Sequence, residues 1–207
     1  MKPNKTRLGS LLGLLLAAVV ATVHADQMLF DFAPGFNLER AGKSDAEAQL
    51  VPASAGRALR VKTGTAQSWP GVTLLVPERS RDLSAFWQVV VRVRNTGTNR
   101  FTVNCRVDNP AADGAKHCVT GRVDLEPGAA QILRVPLKRT SHGKLDGKLF
   151  GLRGYPVAPG GPGTVDPKNI TQILIFVNKP NASHTFEVQD VRATGSYTPP
   201  TASVTAQ

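Results

Sequence analysis

The chain has 207 residues, with 41% hydrophobic and only 6% aromatic side chains, and carries a formal charge of +10. A long disordered polyampholyte and a multi-domain enzyme are both disfavoured by that length and apolar content. So is a disulfide-rich miniprotein, because the sequence has just two cysteines.

Residues 1–25 read as a cleaved export signal. Lys2, Lys5 and Arg7 form a positive start, Leu11 to Val23 an apolar run, and Val23-His24-Ala25 a small-residue cleavage site. The run is short for a bilayer span, so a secreted or periplasmic chain is expected, with no membrane contact after cleavage. Losing those three cations lowers the formal charge from +10 to +7.

Residues 26–196 read as one domain. Met28 to Phe32 is a short apolar strand stopped by Pro34-Gly35. Ala41 to Gln49 is polar and alanine-bearing, which predicts a loop. Arg57 to Lys62 alternates as a strand, Trp69-Pro70 sits in a loop, and Val72 to Val76 is the next strand. From Asp82 to Leu137 the period-two pattern is clearest. Trp87, Val89, Val91 and Val93 share one parity, which places Trp87 in the core; Gln88, Arg92 and Arg94 share the other. After the turn residues Asn95 to Asn99, Phe101, Val103, Cys105 and Val107 oppose Thr102, Asn104, Arg106 and Asp108. That pattern predicts a hairpin. Strands near Cys118–Leu125 and Gln131–Leu137 follow. Lys138 to Lys168 is a glycine- and proline-rich loop, long enough to suggest function or disorder. Ile170 to Val177 predicts a central strand and His184 to Arg192 a final one, before a Pro/Thr/Ser tail at 197–207. Short strands joined by short turns make an all-β antiparallel sandwich the expected fold.

An exported chain with a single cysteine pair predicts a disulfide between Cys105 and Cys118. Catalytic signatures are missing: His117, His142 and His184 sit in no metal or nucleophile motif. The basic residues are dispersed and the chain reads as exported, so nucleic acid is not the expected partner. An anionic glycan suits the charge more economically.

The order and spacing of several motifs resemble a known domain. They are Leu29-Phe30-Asp31-Phe32, Asp82 to Phe86, Val89 to Asn95, Cys105 to Gly114, Gly151-Leu152-Arg153-Gly154-Tyr155-Pro156 and His184 to Gly195. The chain is similar to the carbohydrate-binding-module-like sandwich that precedes the catalytic barrel in exo-type agarases, over Leu29 to Gly195. That resemblance implies a galactose-binding-like jelly roll that binds a polysaccharide, an agar-type galactan being one such ligand, without cleaving it. A cell-envelope sandwich for protein contacts is the alternative, and a small glycosidase or lyase the weaker one. A monomer is expected.

Sugar sites combine an aromatic platform with planar polar groups. Tyr155 and Arg153 in the long loop, Trp69 in its own loop, and Arg106 and Asn104 on the polar parity are therefore the candidate binding residues. The bland readings are a loop anchor for Tyr155, an Arg153–Asp108 or Arg153–Asp113 ion pair, a lid for Trp69, and a solvated sheet face for the rest. The resemblance also implies a structural calcium. Related jelly rolls hold one between a glutamate just after the first-strand phenylalanine and a last-strand aspartate. Asp190 matches the aspartate, but Ala33 follows Phe32, so Asp31 would have to substitute.

Overall fold

The computed structural model describes residues 25–54, 56–137 and 164–197. Eleven strands are β1 (Gln27–Phe30), β2 (Ala41–Ser44), β3 (Ala46–Ala53), β4 (Gly56–Thr63), β5 (Gly71–Leu75), β6 (Phe86–Asn95), β7 (Phe101–Asp108), β8 (Cys118–Leu125), β9 (Ala130–Pro136), β10 (Gln172–Val177) and β11 (Thr185–Ser196). They form two antiparallel sheets. One runs β3-β4-β11-β6-β9 with β1 also on β11; the other runs β2-β5-β10-β7-β8. Both sheets turn their apolar parity inward. Leu59, Val61, Val89, Val91, Leu133 and Phe186 meet Val72, Leu74, Val103, Val107, Ile173 and Ile175 across the interior, all 2% exposed or less. The result is the expected jelly-roll sandwich.

The predicted hairpin is not one. β6 pairs with β11 and β9, whereas β7 pairs with β10 and β8, so the chain crosses between sheets at Asn95–Asn99. Asn95 builds that arch from within. Its buried side chain donates to Asn99 O (2.9 Å) and Leu125 O (3.2 Å), and accepts from Gly97 N (2.8 Å). The backbone amides of Thr96 and Gly97 then bond to Thr185 O on β11. A period-two pattern gives the buried face of each strand but not its neighbour, which is why both topologies fit the sequence.

The segment 41–49 is another correction: it is strand, not loop. β2 and β3 lie in different sheets, joined at Asp45, whose φ of 42° turns the chain. Its carboxylate accepts from the amides of Ala66 (2.7 Å) and Gln67 (2.9 Å), long-range bonds that tie the β2–β3 corner to the loop after β4.

The expected Cys105–Cys118 disulfide is not formed. In the β7–β8 register Cys105 faces Gly121 while Cys118 faces Asp108. The cysteines are thus three positions apart along the ladder, about 10 Å, and on opposite faces of the sheet. A disulfide needs Cα atoms within about 7 Å. Both thiols are buried and titrate above the ordinary thiol range, first because of desolvation and then because of the Asp108 carboxylate.

Gly121 has a packing role of its own. A Cβ there would lie 2.2 Å from Arg134 O, so the missing side chain lets edge strands β8 and β9 of the two sheets close against each other. Trp87 departs from the core reading. Although it shares parity with the valines, it sits at the end of β6, 36% exposed, with its ring stacked on Tyr197 at 5.9 Å. Tyr197, read as the first residue of the tail, is tied to the domain by a bond from its N to Ala85 O.

Candidate functional site

The outer face of the five-stranded sheet is hollowed. Cross-strand register sets Thr73, Leu174, Arg106 and Thr120 in one row, and Ser44, Gly71, Phe176, Asn104 and Arg122 in the next. A cavity of about 520 Å³ lies over these rows, walled by Trp69 on one side and the Ala112–Ala115 loop on the other. It is larger than the 330 Å³ hollow beside Asp45.

Its floor is apolar because β10 buries one parity and half-exposes the other. Ile173, Ile175 and Val177 enter the core, leaving Leu174 and Phe176 outside. Gly71 keeps the flank of Phe176 open, since a Cβ at that position would fall 2.7 Å from the Cβ of Phe176 and 2.2 Å from Ile175 O. Trp69 stands at the rim, 61% exposed. Its loop is held by Val177 N on Pro70 O (3.0 Å) and Lys179 N on Ser68 O (2.7 Å).

The polar wall is pre-arranged. Asp108 is fully buried and binds Arg106 in a fork, Nε to Oδ1 at 2.8 Å and Nη2 to Oδ2 at 2.9 Å. Gln172 Nε2 donates to the same carboxylate at 2.8 Å. A two-point grip of this kind fixes the guanidinium plane. Arg106 Nη1 is left without a partner among the described residues and points at the Gly114 turn, where a Cβ would approach to 3.0 Å. Asp113 builds that turn. Its Oδ1 accepts from Ala115 N (2.9 Å) and Lys116 N (2.7 Å), and these amide bonds hold its carboxyl below the usual carboxylate range. Asn104 contributes a long bond to Phe176 O at 3.5 Å.

Of the predicted binding residues, Trp69 and Arg106 border this cavity and Asn104 lies in the adjoining row. Tyr155 and Arg153 lie outside the described residues. Asp108, one of the two acids considered as a partner for Arg153, is held by Arg106. Asn109 is structural: it bonds to Asp166 and Asn169 through both ends of its amide. Sequence reasoning overlooked Phe176, Leu174 and Thr73. The available signal was Gln172 on the parity of Leu174 and Phe176, marking that parity as the outward one.

The residues implied for calcium do not fit it. Asp190 is gripped by Arg92 and, at 3.2 Å, by Arg192. Asp31 Oδ1 accepts from Ala33 N at 3.1 Å. Arg57 lines the same 170 Å³ hollow, so an ion there would meet three guanidinium groups. Among the described residues no cluster of His, Cys, Asp and Glu is large enough to hold a metal.

No family model matches the sequence, and no curated protein is similar to it. Solved structures are. The fold superposes on an exo-β-agarase with a TM-score of 0.61 and 20% identity, covering 83% of this chain and 25% of that one. A second agarase gives 0.59 and 18%, over 85% and 26%. The family 11 carbohydrate-binding module from Clostridium thermocellum, in complex with a β-1,3-1,4-mixed-linked tetrasaccharide, gives 0.57 and 16%, over 83% and 96%.

The fold is an antiparallel β-sandwich like that of the family 11 module.

The chain spans about a quarter of each agarase but nearly the whole of the module. This agrees with the resemblance read from the order of the motifs. At such identities the likeness is one of fold, and the site has to be argued from its own residues.

Proposed function

We propose that the protein is an exported, monomeric carbohydrate-binding module that holds a polysaccharide in the cavity on the five-stranded sheet and does not cleave it. The observation that carries this reading is the pairing of an exposed apolar platform with a fixed hydrogen-bonding edge. Trp69, Phe176 and Leu174 offer faces for pyranose rings. Arg106, oriented from below by buried Asp108, presents Nη1 to ring hydroxyls, and Asp113, in the turn beside it, offers an acceptor. The bound tetrasaccharide in the family 11 module supports a glycan as the class of ligand. The likeness to agarases favours an agar-type galactan.

Hydrolysis is poorly served by the same residues. A glycosidase needs a proton donor whose carboxyl stays protonated near neutrality. Asp113 is held below the ordinary range, and Asp108 is sealed from the cavity at 0% exposure. The cell-envelope alternative called for a flat apolar sheet face. The described outer faces offer instead a mixed hollow on one sheet and rows of arginine on the other.

The test is retention of the full chain on agarose, cellulose, alginate and chitin, with soluble mixed-linkage glucan as competitor. Retention on agarose that falls about tenfold in Trp69→Ala, in a variant that still melts cooperatively, supports the reading. A loss of one stacked ring of roughly 1–2 kcal/mol corresponds to that factor. Retention on none of these matrices overturns it.

A further inference from the structure

The opposite side of the sandwich carries a different chemistry. On the outer parity of β3, β4, β6, β9 and β11, the basic residues Arg60, Lys62, Arg92, Arg94, Arg134 and Arg192 outnumber the acids Glu47, Glu187 and Asp190. The five-stranded face has no such excess: Arg106 and Arg122 are balanced by Asp108 and Asp124.

The acids on the basic face lie beneath the arginines. Glu187 is 6% exposed and Asp190 2%. Each arginine is held along the same edge: Arg60 by Nε and Nη2 to Glu187, Arg92 by Nε and Nη2 to Asp190, and Arg192 by Nε and Nη2 to Asp190. Among the described residues the Nη1 group of all three has no acid partner, on side chains 35–40% exposed. The buried carboxylates set the orientation of the guanidiniums while the outward donors stay available. Arg94 and Arg134 flank this array, exposed and without an acid partner among the described residues. Exposed Ile132 and half-buried Val90 lie between them.

We propose that this face is a second, electrostatic binding surface for an anionic polysaccharide, one bearing sulfate or carboxylate groups. Guanidinium forks match both anions in two-point geometry. Arg60 and Arg94 sit in one cross-strand row either side of β11's Glu187, and Arg192 and Arg134 in another either side of β6's Val90. Within each row the basic residues are two strands apart, about 10 Å, a spacing comparable with two linked pyranose rings. The face carries no aromatic side chain in these rows and is built of strands, so it has no platform for unstacked bases and no helix to enter a duplex groove. Ile132 by itself is too little apolar area to anchor the protein in a bilayer. The surface is separate from the Trp69 cavity and does not depend on what that cavity binds.

The experiment uses fluorescein-labelled dextran sulfate as probe, with labelled neutral dextran, duplex DNA and anionic phospholipid vesicles as comparators, against the full chain at increasing salt. Dextran sulfate is expected to bind at low salt, and Arg94→Gln with Arg134→Gln to weaken it about tenfold. The slope of log K against log salt should shrink by about two, one for each lost cation. Both positions are exposed, so the double variant should fold, and its cooperative thermal unfolding reports that directly. Trp69→Ala should leave dextran sulfate binding unchanged. Unaltered binding in the double variant overturns the proposal, as does equal binding of neutral dextran. DNA or vesicles bound as tightly as dextran sulfate, with the same loss in the double variant, would also overturn it, because the face would then select charge and not a glycan.

Discussion

The two outer faces of the sandwich are built from the same kind of strand yet solve the problem of a buried acid differently. On the five-stranded sheet, Asp108 is wholly buried and its partner Arg106 is only 20% exposed in its side chain. Asp190, on the six-stranded sheet, is 3% exposed in its side chain but serves two arginines that reach water, at 40% and 35%. One acid anchors a closed pair inside a wall, and the other underlies an open array. Solvent decides what each pair is worth: a desolvated charge left alone is expensive, whereas an exposed guanidinium is rehydrated when its partner goes.

The largest effect should come from breaking that contrast at its buried end. Asp108→Ala strands Arg106 and Gln172 together and should cost about 3 kcal/mol, read as a fall in denaturant midpoint with unchanged slope. Asp190→Ala should cost roughly 1 kcal/mol. Equal losses at the two positions would show that exposure of the arginines does not separate the faces. Next in size is Gly121→Ala. It drives a methyl group toward Arg134 O where β8 meets β9, and overpacking of this kind costs about 1–3 kcal/mol; thermal unfolding would show it.

A smaller, pH-dependent effect is expected at His184, which stacks on Phe101 at 4.4 Å. Burial lowers its pKa below the ordinary 6.5. The folded state therefore binds fewer protons than the unfolded one, and stability is complete above that ordinary value. It declines as pH falls through it, and the loss levels off below the folded-state pKa. His184→Gln should flatten this part of the pH–stability curve while leaving the limb below pH 4 in place. There Asp124, held below the ordinary carboxylate range by Thr102 and Arg100, loses its stabilising charge. The smallest expected change is none: a thiol reductant should not move the melting temperature, and both cysteines should alkylate after unfolding.

Much of this was legible in the sequence. Alternation located most of the strands, because burying one face of a sheet forces a period of two. It placed Arg106 and Asn104 outward on β7 and Ile170–Val177 in a central strand, observed as Gln172–Val177 between β5 and β7. Trp69 was visible as a loop aromatic beside a proline. Alternation could not tell which strands are neighbours. A turn such as Asn95–Asn99 joins two strands equally well within a sheet or across the sandwich, and the choice fell to Asn95, whose amide finds Leu125 O from another strand. The misread disulfide has the same origin: cysteines close in sequence are separated by a register that no local pattern reveals.

Composition, periodicity and motif order thus determined an all-β sandwich and the parity of its polar residues, since these follow from burial of each strand taken singly. Only the tertiary structure decided that Gln88, Arg92 and Arg94 stand on one face and Asn104, Arg106 and Asp108 on the other. It also decided that Phe176 is uncovered by Gly71, and that Asp190, the aspartate implied for a cation, is already taken by two arginines. Those outcomes depend on contacts between residues far apart in the chain, and such contacts are set by the packing of two sheets together.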